Sequence, residues 1–159
     1  MKRWLPCLLA LATSTAVAAE PAAIPSFSKV QSDYLLACGG CHGENGISNS
    51  RLVPDLAGLV GYFLNTSEGR HYLVGLPNVA TSALDDEALS DVLNFMVWEI
   101  GGTSAPATAE RFTASEVGAL RAHPLNEVSL KDLRRRLVET LVAEYEAPPS
   151  LRYYGNTTP

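Results

Sequence analysis

Apolar residues at Phe27, Val30, Tyr34 and Ala37 recur at helical spacing, and Ser26 or Ser28 stands where a hydroxyl caps a helix start. The pattern predicts a short helix that delivers the chain into Cys38-Gly39-Gly40-Cys41-His42. Between Ser82 and Ile100, the residues Leu89, Val92, Leu93, Met96, Val97 and Ile100 share one face of a longer helix. Asp85, Asp86 and Glu87 fall in its first turn, where negative charge complements the positive end of the helix dipole. That position reads as terminus complementation rather than as a catalytic acid cluster. A third, shorter helical segment is predicted near Glu68 to Leu76, Pro54 to Gly58 reads as a turn, and Gly101-Gly102 ends the unit.

Thr103 to Pro106 is small and flexible in composition and reads as a linker. Thr113 and Glu116 form a capping box for a helix reaching His123, where Pro124 ends it. Ser129 and Asp132 open another that runs to about Tyr145, with Leu130, Leu133, Leu137, Leu141 and Tyr145 on one face. Arg134, Arg135 and Arg136 suggest a docking patch, but three charges on an amphipathic helix are more often a solvated edge. The end, 148–159, is rich in Pro, Gly and polar residues and is expected to be loosely ordered. No internal repeat and no strand-like alternation occurs, so the chain reads as all-α.

The chemistry lies in Cys38, Cys41 and His42. A C-x-x-C-H run is the signature of covalent c-type haem attachment: two thiols for thioethers, then an imidazole for the iron. Gly39 and Gly40 let the loop bend close under a porphyrin edge. Two other uses exist for such a pair. A redox dithiol belongs after a strand in a β-α-β pattern, and a structural zinc site needs a second ligand pair at matching spacing; neither context is present.

That motif sets the compartment. Lys2 and Arg3 precede an apolar stretch from Leu5 to Leu11, and Ala16, Ala18 and Ala19 supply small residues for cleavage before Ala19 or Glu20. Residues 1–19 therefore read as a secretory signal, with Cys7 discarded along with it. The apolar stretch is too short for a membrane span. Export agrees with haem attachment on the outer side of the bacterial inner membrane, so a periplasmic location is expected. Asn65-Thr66-Ser67 and Asn156-Thr157-Thr158 match a glycosylation triplet that has no consequence there. Losing Lys2 and Arg3 leaves ten basic residues against seventeen acids and moves the formal charge from −5 to −7. Such a surface disfavours nucleic acid or anionic lipid and suits either plain solubility or steering toward a basic docking face.

The order of parts resembles the small single-haem class I cytochromes c: lead helix, C-x-x-C-H, Gly43-x-x-Gly46, a Pro54-x-Leu56-x-Gly58 turn, and a closing helix, matched over residues 26 to about 102. The resemblance implies crossed lead and closing helices near the haem edge. It also implies that the Pro54 carbonyl holds the second ring nitrogen of His42 and that Leu56 packs on the proximal face. Such a contact fixes the imidazole's tautomer and plane. One departure stands out. Family members usually present a methionine from the loop before the closing helix, and here that loop, Pro77 to Ala83, has none. His71, in the segment leading to that loop, is the better placed donor and is taken as the distal ligand; the alternatives are Met96, whose default role on the closing helix is packing, or no protein ligand at all. His123, before a proline, carries little weight. Tyr62, Tyr72 and Asn78 are possible polar neighbours on that side.

The expected organisation is a signal (1–19), a class I cytochrome c haem domain (20–102), a two-helix extension (103–147) and a flexible tail (148–159). The expected function is single-electron transport between a periplasmic dehydrogenase or other redox protein and an acceptor, with one haem c on Cys38 and Cys41 and no substrate chemistry. The competing function is a haem protein with an open sixth iron position that binds or activates a small ligand.

Overall fold

Ser28 opens α1 (Lys29–Tyr34): its hydroxyl accepts from the Gln31 amide while the Gln31 side chain accepts from the Ser28 amide. The chain runs without a break through a π-helical turn (Leu35–Gly39) into α2 (Gly40–His42). Gly43 then turns it with φ of +77°, where a side chain would run into the Ile47 carbonyl. A 3₁₀ segment (Val60–Asn65) leads to α3 (Ser67–Gly75), capped by Thr66, and to the short α4 (Pro77–Ala80). A computed structural model of the chain describes Met1, residues 26–126 and residues 128–154. The predicted signal segment beyond Met1, with Cys7, and the triplet at Asn156 lie outside the described residues.

Asp85 caps α5 (Asp86–Phe95), accepting from the Ala88 amide at 2.8 Å, and a second π-helical turn (Met96–Ile100) continues it. The acids before the closing helix thus serve its terminus. α1 and α5 pack together, with the Tyr34 and Phe95 rings 5.5 Å apart and tilted by 59°. α1, α3 and α5 each turn apolar residues inward, and no strand occurs among the described residues.

Thr113 caps α6 (Ala114–Arg121) and Ser129 caps α7 (Leu130–Glu144), each hydroxyl accepting from the amide three residues on. Both helices pack back onto the first part of the chain. Phe112, Val117, Leu137, Val138 and Leu141 join one continuous core with Tyr34, Val60, Phe63, Val74 and Val97. Burial of side chains of this size stabilises by roughly 1.5–3 kcal/mol each.

Three expectations change. The linker is built rather than loose: Gly102–Ser104 forms a 3₁₀ turn, Ser104 is buried, and its hydroxyl accepts from the Gly61 amide at 2.9 Å. The start of the tail is packed, because Leu151, in a 3₁₀ turn (Pro149–Arg152), is 1% exposed and Arg152 pairs with Glu139. Of the arginine run, Arg134 is buried, donates to the Leu151 carbonyl at 2.8 Å and lies over the Tyr154 ring, so it is an anchor and not a solvated edge.

Candidate functional site

Cys38, Cys41 and His42 lie on one wall of a mostly apolar cleft. Leu76, Pro77, Asn78, Val79 and Ser82 form the facing wall, Leu89, Val92, Leu93 and Met96 of the closing helix form the floor, and Leu130 closes one side. The helical run from α1 to α2 presents the two cysteines and the histidine in sequence. Both cysteines are free thiols; Cys41 is exposed and Cys38 half-buried. Burial, reinforced by neighbouring Cys41, pushes the Cys38 thiol up to about 11. A redox dithiol needs the opposite shift, toward thiolate. Among the described residues no group of three or more His, Cys, Asp or Glu side chains is disposed to hold a metal ion by itself.

The ring of His42 is fixed by the turn beneath it. Its Nδ1 lies 3.0 Å from the Pro54 carbonyl oxygen. A carbonyl only accepts, so Nδ1 carries the proton and Nε2 keeps its lone pair for a ligand. Burial pushes the His42 pKa below its ordinary value, partly offset by the Pro54 bond and Asp55, which favours the neutral ring that ligation needs.

Short-range bonds place Pro54. The Gly46 carbonyl accepts from Leu56 and Ala57 amides at 2.7 and 3.1 Å, and the Gly58 amide donates to the Ile100 carbonyl. Fully buried Ser48 donates through its hydroxyl to the Cys41 carbonyl at 3.2 Å, while its amide donates to Asp55 Oδ1 at 2.7 Å. The motif loop, the proline turn and the end of the closing helix are therefore one hydrogen-bonded unit.

The other predicted residues sort differently. Leu56 is buried in the core beneath Gly46 and is not among the cleft's lining residues. His71 is outside the cleft, its Nε2 lying 3.2 Å from the His123 carbonyl oxygen. A carbonyl only accepts, so the bond requires Nε2 to carry the proton and turns a donor N–H, not a lone pair, toward the extension. Tyr72 is buried and stacked on Phe63, and Tyr62 is outside the lining, which leaves Asn78 as the one suggested polar neighbour in place. Met96 lines the cleft. Sequence reasoning missed Ser82, whose hydroxyl is buried without a partner among the described residues, and Leu130, which reaches the cleft from α7. A buried hydroxyl left unpaired is costly unless a group entering the cleft bonds it.

Two vicinal thiols, an imidazole with its Nε2 free, apolar walls and one orphaned hydroxyl fit a covalently tethered haem. The all-α arrangement around them is the cytochrome c fold. Two curated relatives, both named cytochrome c-552 and both from Thermus thermophilus, are each 30% identical over 118 residues. The aligned part is 63% of this chain and 90% and 80% of theirs. The chain belongs to the c-type cytochromes. No family model and no solved structure matches it.

Proposed function

We propose that this protein is a periplasmic single-electron carrier with one haem c, tethered by thioethers from Cys38 and Cys41 and ligated by His42 Nε2. The observation that carries the reading is the 3.0 Å contact between His42 Nδ1 and the Pro54 carbonyl, beside two thiols on one apolar cleft. When bound, the haem supplies an iron that changes oxidation state by one electron. The chain does the rest. Pro54 holds the imidazole plane, the leucines and valines of the closing helix exclude water, and the exposed Cys41 marks where the cleft meets the surface. Met96, on the floor of the cleft, is the one methionine among its lining residues, and we take its sulfur as the distal donor in place of His71, whose ring is engaged at His123. The acidic chain suits a partner with a basic docking face, such as a dehydrogenase or another cytochrome. Among the described residues no helix is long and apolar enough to cross a membrane.

Exported protein should show a haem mass increment after denaturation and a ferrous spectrum that carbon monoxide leaves unchanged at neutral pH. Colourless material refutes the assignment. His71→Ala should leave the potential and the near-infrared charge-transfer band in place, and Met96→Leu should shift both. A second reading, an open sixth position for a small ligand, is favoured by the absence of methionine and histidine from Leu76 to Ser82. Ready binding of carbon monoxide by the wild type would select it.

A further inference from the structure

The wall of the cleft that faces Cys38 and His42 is short: α4 is four residues long, has no side-chain cap at its start, and is closed at its end by the Thr81 hydroxyl donating to the Pro77 carbonyl at 2.7 Å. Its hold on the rest of the molecule comes from the extension. The Arg121 guanidinium donates to the carbonyls of Ala80, Ser82 and Leu84, each at 2.8 Å, and to Asp86 Oδ1 at 3.2 Å. Its side chain is 16% exposed. One cation thus bonds three backbone carbonyls within five consecutive residues and the first residue of the closing helix. Gly118 lets α6 come that close, because a side chain there would run into the Asp86 carboxylate.

The other end of the same wall is tied from the same stretch of chain. The Leu125 amide donates to the Gly75 carbonyl at 2.8 Å, and His71 bonds the His123 carbonyl. Residues 121–125 therefore grip the segment 75–86 at both ends, and Leu130 follows them into the cleft. Charge-assisted bonds to part-buried carbonyls are the strong kind, and breaking them costs more than losing neutral bonds.

We propose that Arg121 is a positioning residue for the distal wall: it holds the segment 80–86 closed over the cleft, so that access of an outside ligand to the iron is gated by a residue of the extension. This rests on the haem assignment above, deepening it from what the site holds to what controls its far side. Electron transfer without ligand exchange needs such a wall to stay shut. Where a methionine in the loop would ordinarily anchor it to iron, here the anchor is a cation on its outer side.

The test is imidazole binding to the full-length ferric protein, followed by stopped flow. Haem content of each variant is first determined by alkaline pyridine spectrum; failure of the wild type to carry haem defeats the functional reading alone and is seen before any rate is measured. Arg121→Ala, which removes all four bonds, should speed imidazole association by about tenfold or more, since even one charge-assisted bond is worth about a factor of ten. Arg121→Lys, which keeps the charge but reaches fewer carbonyls, should fall between Ala and wild type and guards against a variant that does not fold. If Arg121→Ala or Arg121→Lys loses thermal stability while imidazole associates at the wild-type rate, the residue is merely structural and the proposal is overturned.

Discussion

Gly46 ties the motif loop to the proline turn, and it does so with φ of +74° and with Ile100 pressed where a side chain would begin. Both the backbone conformation and the space exclude larger residues. Gly46→Ala should therefore cost about 1–3 kcal/mol in urea unfolding and loosen the turn that orients Pro54. Tyr34 acts nearby, its hydroxyl donating to the Gly43 carbonyl at 2.8 Å. Burial pushes both Tyr34 and Tyr72 up to about 12. Since the unfolded phenols ionise near 10, the stability they contribute is complete below that pH and is lost as pH rises toward 12, the unfolded state releasing protons first. Alkaline unfolding should steepen across this window, and Tyr72→Phe should flatten the slope in a pH series of urea midpoints.

Elements here are joined by single polar side chains that bridge to backbone. Asn94 on α5 both donates to the Phe112 carbonyl at 2.9 Å and accepts from the Phe112 amide at 2.8 Å, pinning the segment before α6 against the closing helix. Asn94→Ala leaves both groups unpaired and should lower stability by about 2 kcal/mol, with Asn94→Asp, which keeps one acceptor, less affected. These joints also mark what could be read from the sequence. Helix starts were legible because Ser28, Thr113 and Ser129 bond amides within their own segment, three positions on. That Cys38, Cys41 and His42 share one wall of the cleft was legible for the same reason, since they are neighbours in sequence. Arg121, Asn94 and Ser104 were not, since each satisfies backbone groups far along the chain, and a carbonyl leaves no trace in the residue type that carries it. The position of His71 outside the cleft was not legible on the same account: its nearness in sequence to the loop 77–83 gave no sign of the carbonyl at His123. Arg134 sits in a charge run that periodicity alone assigns to solvent, and only the packed Leu151 turn explains its burial.

At the scale of the molecule, the extension and the motif-bearing part share one core. Val117, Val138 and Leu141 are at most 1% exposed and face residues of the 3₁₀ segment, α3 and α5. A chain ending at Pro106 would uncover that apolar face, and it should melt well below the full-length protein or aggregate, as circular dichroism and light scattering would report. The fold so closed brings distant stretches of chain to one cleft. Leu130 borders the same cleft as Cys38 and His42, although most of the described chain separates them. Leu130 is the first residue of α7, so under the haem assignment proposed above the last long helix would be the element whose docking completes the cleft.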